Sequence, residues 1–176
     1  MAVREVLRLG DPRLRQRSAE VGEALFGSAE LQALIDDLRD TMASRDGAGL
    51  AAPQIGMPWR VVIYGITSNP RYPEAPPIPE TVLINPVLTP LGETSQLGWE
   101  GCLSVPGLRG QVRRHQRLQV AWRDPGGGHH QQVVEGFHAR VVQHECDHLD
   151  GMLFVDRLHD MRAFGFSDEL QAAGLL

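Results

Sequence analysis

Apolar residues recur at helical spacing over residues 29–43, where Leu31, Leu34, Ile35, Leu38 and Met42 fall on one face and Ser28 stands in the N-cap position. The chain over 137–150 reads as a second helix. Elsewhere the pattern is that of strands, with apolar runs at 59–66, 81–88 and 111–123. A hairpin turn is expected at Asp124-Pro125-Gly126-Gly127-Gly128. Gly10-Asp11-Pro12 predicts a turn opening a short helix, with proline in its first position. Over 46–56, Gly47, Gly49, Pro53 and Gly56 interrupt any helix and predict a loop or irregular strand. Prolines at 70, 73, 76, 77 and 79 predict a surface loop over 68–80. Strands and helices do not alternate as βαβ units, so the expected class is α+β, with mostly antiparallel sheet around the second helix. No repeat or linker divides the chain, and residues 1–176 are expected to form a single domain.

Composition narrows the function more than the fold. The chain has 176 residues, 42% of them apolar and 22% charged, which suits a folded domain rather than a disordered chain. Its net charge of −5 argues against a domain-wide nucleic-acid surface, and no apolar run reaches the length of a membrane span. All 17 basic residues are arginine, which excludes a lysine Schiff base, a P-loop lysine and a Ser-Lys dyad. The arginines at 4, 8, 13, 15 and 17 resemble a transit peptide, but Glu5, Asp11 and Glu20 interrupt them. A folded, cytoplasmic start in a bacterial protein is therefore expected ahead of an organellar one. Two cysteines do not make a disulfide framework.

The sharpest chemical signal is His144-Glu145-Cys146-Asp147-His148, an H-E-x-x-H pattern inside the second helix. Positions i and i+4 share a helix face, so both imidazoles can reach one metal ion, with Glu145 beside them to accept a proton from its water. A third ligand is then needed. Phe154 stands where the extended pattern H-E-x-x-H-x-x-G-x-x-H has its last histidine, although Gly151 is in place. His159 and Cys102 are the candidates, and a Cys/His/His set suits zinc or ferrous iron. Cys102 could equally be a core thiol or a nucleophile paired with His144. Cys146 points to the opposite helix face and is expected in the core. A serine hydrolase is disfavoured because G-x-S-x-G is absent. An H-E-x-x-H endopeptidase and a closed structural zinc module are the competing readings.

Three segments together resemble peptide deformylase: Gly47-Ala48-Gly49-Leu50-Ala51-Ala52-Pro53-Gln54-Ile55-Gly56, Glu100-Gly101-Cys102-Leu103-Ser104, and Gln143-His144-Glu145-Cys146-Asp147-His148-Leu149-Asp150-Gly151. The resemblance runs from about Val3 to about Leu170. It implies removal of the formyl group from N-formylmethionyl nascent chains, with transient proximity to the ribosome and neither membrane nor nucleic acid as partner. It implies one divalent ion on Cys102, His144 and His148, ferrous iron first and Zn2+, Ni2+ or Co2+ as substitutes. Glu145 would act as general base and acid, and Gln54 with the Leu103 N–H would stabilise the oxyanion. Gly49, Leu50, Glu100, Gly101, Arg109, Phe137 and Val141 would surround the substrate. Phe137, Val141 and Leu50 are then the expected walls for a methionine side chain, and Glu100 could also hold the loop or an imidazole. Arg140 departs from the apolar residue some members carry there, and either reaches a carboxylate or rims the pocket. Asn69 to Glu80 is longer than in compact members and resembles the loop of organelle-like deformylases. The chain ends soon after Phe166, so a function tied to a long C-terminal helix is not expected.

Overall fold

A computed structural model describes residues 2–67 and 75–176 of the chain. Pro12–Arg15 forms the short turn of 3₁₀ helix expected after Gly10, capped by the Asp11 carboxylate, which accepts from the Arg13 N–H at 2.9 Å. Helix α1 (Ala29–Ser44) starts where Ser28 Oγ accepts from the Leu31 N–H at 3.1 Å. Its five periodic apolar residues are all buried. The irregular stretch that follows is a short strand, β1 (Gly49–Ala51), and a 3₁₀ turn (Ala52–Ile55).

Strands β2 (Val61–Ile66), β3 (Ile78–Pro90), β4 (Ser95–Cys102), β5 (Val105–His115), β6 (Arg117–Arg123) and β7 (His129–Glu135) come next, then helix α2 (Gly136–Leu149), strand β8 (Phe164–Phe166) and helix α3 (Ser167–Ala172). They form a sheet of order β1-β2-β3-β6-β7 and a second of order β4-β5-β8, with antiparallel pairing between neighbouring strands throughout. The α+β class with antiparallel sheet therefore holds, as does the β6–β7 hairpin, whose turn closes through Gly127 N–H to Asp124 O at 2.9 Å. No described helix is long and apolar enough to cross a membrane.

Some expectations change. The run over 111–123 is not one strand but parts of β5 and β6, which lie in different sheets. The break is at Gln116, whose N–H donates to Thr94 O at 3.0 Å while its carbonyl accepts from the Gly136 N–H at 2.9 Å. The proline loop is shorter than expected, because Ile78 already pairs with Ile66 and Pro79 lies within β3. Pro70 and Pro73 lie outside the described residues. Strand β4 has no counterpart among the expected elements.

The larger sheet is covered on both faces. Val62, Tyr64 and Ile66 of β2 face α2, packing with Ala139, Val142, Cys146 and Leu149. Their neighbours Val61 and Ile63 face α1 with Leu31, Leu34, Ile35 and Leu38. This alternation is the two-residue period of a strand, and β1 continues it. Ala51 belongs to the α2 side and Leu50 to the α1 side. The smaller sheet brings Cys102, Val105 and Val112 against Leu153 and Phe154.

Candidate active site

Helix α2 carries the site, and it is enclosed over most of its length. Residues Ala139, Arg140, Val141, Val142, Gln143, His144, Glu145 and Cys146 are all buried, as are His148 and Leu149. The i, i+4 spacing puts the His144 and His148 rings side by side, with centroids 5.1 Å apart and planes at 85°. Cys102, at the end of β4, places its Sγ 3.4 Å from His148 Nε2. One donor atom from each of Cys102, His144 and His148 lies within 4.8 Å of the other two. A metal with sulfur at about 2.3 Å and nitrogen at about 2.0 Å holds such ligands roughly 3.5 Å apart, so the set fits one ion. His159 is exposed and outside this group. Cys146 is buried on the far face, as expected, and burial pushes its thiol up from its ordinary pKa.

A buried charge network orients His144. The Glu100 carboxylate meets His144 Nδ1 at 2.9 Å, which turns the other ring nitrogen toward the cluster. Arg114 donates to both Glu100 oxygens at 2.9 Å and to Asp147 at 2.6 Å, and Arg140 adds a bond to Glu100 at 2.8 Å. Arg157 donates to Asp147 at 2.7 and 2.8 Å. Burial alone would raise the Glu100 pKa, but the Arg114 and His144 bonds outweigh it and hold the carboxyl well below its ordinary range. Burial opposes ionisation of Cys102 as well, yet the charge of His148 and bonds from both imidazoles hold the thiol well below its usual value. His144 is shifted the opposite way, since Cys102 and Glu100 overcome the effect of burial. The cluster thus favours a thiolate, the form that binds metal.

Glu145 stands apart from that network. Its Oε2 is buried and finds no hydrogen-bond partner among the described residues. Burial raises its pKa, the first requirement of a base that works near neutrality. The space beside it depends on Gly49, because a Cβ there would fall 2.5 Å from Glu145 Oε1. Gln54 does two things at once. Its Oε1 accepts from the Ala51 N–H at 2.8 Å, the local bond expected of a loop glutamine, while its Nε2 lies 3.0 Å from Ser104 Oγ and 3.5 Å from Cys102 Sγ.

Most of these groups border one cavity. Of the residues expected around the reaction, Gly49, Gln54, Glu100, Gly101, Cys102, Leu103, Phe137, Val141, His144 and Glu145 border it. His148 adjoins it through Cys102. Leu50 does not line this cavity, because strand alternation turns it into the α1 core, where it is fully buried. Arg109 borders a neighbouring groove, which shares Cys102 and Leu103 with the cavity and also includes Arg45, Pro106 and Leu108. Arg140 both reaches the Glu100 carboxylate and lines the cavity. Sequence reasoning missed Trp99 and Ala48 in the lining, and Arg114 as the partner of Glu100. Periodicity offers no signal for Trp99 or Arg114, which the pairing of β4 with β5 places, or for Ala48 in the bend before β1.

Comparison with known proteins agrees with this geometry. The sequence model of the polypeptide deformylase family matches residues 3–164. "Peptide deformylase 1" of Prochlorococcus marinus is 57% identical over 178 residues, covering 100% of this chain and 91% of that protein. "Peptide deformylase 1" of Nitrosomonas europaea is 54% identical, covering 96% of this chain and 94% of its own length. Among solved structures, a class I type b peptide deformylase from Acinetobacter baumannii with Met-Ala-Ser bound superposes with a TM-score of 0.86 at 41% identity, covering 89% of this chain and 99% of that one.

Proposed function

The chain belongs to the polypeptide deformylase family, and from that premise we propose that it hydrolyses the N-formyl group of formylmethionyl peptides through Cys102, His144, His148 and Glu145. The observation that carries this reading is the convergence of the Cys/His/His donor set with a buried, unpartnered Glu145 oxygen on one cavity. One divalent ion held by the three donors would supply Lewis acidity and lower the pKa of the attacking water. Ferrous iron is our first choice, with zinc, nickel or cobalt as substitutes, since a thiolate with two imidazoles suits each of them.

The chain's own residues do the rest. Glu145 takes a proton from the water as it adds to the formyl carbon, and passes it to the leaving amine when the C–N bond breaks. The products are formate and a free methionyl amine. Gln54 Nε2 and the Leu103 N–H donate to the oxygen on which charge develops. Glu100, held by Arg114, keeps His144 in one orientation. Phe137 and Val141 wall the methionine side chain, and the groove with Arg109 takes the peptide beyond it. Substrates of this kind are nascent chains, which places the work in the bacterial cytoplasm and near the ribosome.

The test is formate release from formyl-Met-Ala-Ser by protein purified without oxygen and loaded with ferrous iron, with the acetyl peptide as control. Release from the formyl peptide alone is expected. Cleavage at an internal peptide bond without formate would replace this reading with that of an endopeptidase.

A further inference from the structure

Residues 2–8 belong to no helix or strand, yet the segment is bonded along its length. Its start is held by α1, where the Ala2 N–H donates to Asp37 Oδ1 at 2.8 Å and the Arg4 N–H to Thr41 Oγ1 at 2.9 Å. Val6 and Leu7 are buried, Val6 in the α1 core. Beyond them the segment turns to the active site. The Leu7 N–H donates to the Gln54 carbonyl at 2.8 Å, and the Leu9 N–H to the Ser104 carbonyl at 2.7 Å. Each carbonyl sits beside one of the two groups assigned to the oxyanion. Gln54 carries the amide, and Ser104 directly follows Leu103. The two carbonyls lie on separate loops, 50 residues apart in sequence. One is the 3₁₀ turn after β1 and the other the turn between β4 and β5.

The loops also touch directly, through Gln54 Nε2 and Ser104 Oγ at 3.0 Å. One side-chain bond lets two loops pivot about it, and a short segment bonded to both backbones removes that freedom. We propose that Leu7–Leu9 is a positioning segment of the oxyanion hole, whose two N–H groups set the separation between the Gln54 amide and the Leu103 N–H. The proposal rests on the deformylase reading above. Oxyanion donors accelerate a reaction only if they are fixed before charge develops, and they favour the transition state over the substrate. Loosening the segment therefore lowers kcat and leaves KM nearly alone.

The experiment removes one N–H at a time. An ester in place of the Arg8–Leu9 amide, introduced as the α-hydroxy analogue of leucine, deletes the bond to Ser104. The same change at Val6–Leu7 deletes the bond to Gln54. Leu9→Pro also deletes the bond to Ser104, in a position that suits proline. The Arg8 carbonyl accepts from the Asp11 N–H at 3.0 Å and Gly10 has a φ of 112°, so Leu9 holds the second place of a turn that favours proline there. Each variant is expected to lower kcat for formyl-Met-Ala-Ser about tenfold or more in the iron-loaded enzyme, with KM within about twofold. Iron content should not change. Amide hydrogen exchange without substrate, read by mass spectrometry, should quicken over residues 50–56 and 102–106.

Thr41→Val separates positioning from stability. It removes the acceptor of the Arg4 N–H and loosens the same segment at α1, so it should lower the melting temperature and leave kcat at the wild-type level. An equal loss of kcat in Thr41→Val would mean a merely structural role and overturn the proposal. Wild-type kcat in the folded, iron-loaded Leu9 variants, a loss confined to KM, or unchanged exchange in both loops would overturn it too. No formate from the wild type overturns the deformylase reading instead, and the exchange rates then still decide whether the segment holds the two loops.

Discussion

Helices α1 and α2 are close in length, 16 and 14 residues, and pack on opposite faces of the same strand, β2. They bury different things. α1 buries a stripe of leucine, isoleucine and methionine, with Asp37 and Thr41 at its edge, and leaves charged residues such as Glu30 and Asp40 at or near the surface. α2 is buried from Ala139 to Cys146 without a break, and that run includes Arg140, Gln143, His144 and Glu145. Apolar burial dominates the hold on the first helix, and its two buried polar side chains pair with the N-terminal segment, Asp37 with the Ala2 N–H and Arg4, and Thr41 with the Arg4 N–H. The second must satisfy most of its polar groups inside the protein, and Glu100, Arg114, Asp147 and the backbone of His115 pair with them. A helix enclosed on all sides can thus carry chemistry, provided its polar groups are paired. Glu145 Oε2 and His148 Nδ1 are the two buried side-chain atoms of α2 without a partner among the described residues, and the first is the atom the reaction needs.

Removing that atom's basicity sharpens the contrast most. Glu145→Gln keeps the size and burial of the side chain and should lower kcat/KM by about 10²–10⁴-fold. Metal content by elemental analysis and the melting temperature should stay near wild type, because Glu145 makes none of the network's bonds. Substantial turnover by a folded, metal-loaded variant would sink the assignment of the base.

The next largest effects compare how the two helices are held. Glu100→Ala leaves Arg114 buried at 3% exposure without its main carboxylate, and should cost about 3–5 kcal/mol by denaturant unfolding. It also frees His144 Nδ1, so metal affinity should fall about 10–100-fold. Leu38→Ala in α1, fully buried, should cost about 2–5 kcal/mol through the cavity it leaves. Metal affinity in that variant should not change. Equal losses of metal affinity in both would erase the distinction between a paired and an apolar helix face.

What the sequence made legible follows the same division. α1 was readable to within a residue, because a one-sided apolar stripe and an N-cap are local signals. α2, Cys102 and the H-E-x-x-H spacing were readable because the motifs are short. The second sheet was not. β4 reads Ser-Gln-Leu-Gly-Trp-Glu-Gly-Cys, with glycines where strand periodicity wants side chains, and Gly98 is explained only by Arg140, 42 residues away. Gln116 hides the boundary between β5 and β6, since the bonds that end one strand and start the next reach Thr94 and Gly136. Leu50 was placed on the wrong side for a related reason. The face a short strand shows depends on the helices covering its sheet, which neighbouring residues do not reveal.

The smallest effect tests whether α1 is only a buttress. Ser28→Ala removes the Oγ that accepts from the Leu31 N–H at 3.1 Å and should cost about 1 kcal/mol. In a chain of this size that is a fall of about 2–4 °C in melting temperature. The cap lies at the far end of α1 from β1 and from the turn bearing Gln54, so fraying there should not move the donor or the base. Activity at 25 °C should stay at the wild-type level, with KM unchanged. A lower kcat at unchanged metal content would mean that α1 transmits its end-fraying to Gln54, and that the two helices are not as separate in purpose as their burial implies. Unchanged kcat beside a measurable loss of stability is the outcome the apolar packing of α1 predicts, because a helix held along its whole buried stripe keeps its position on β1 when one terminal bond is lost.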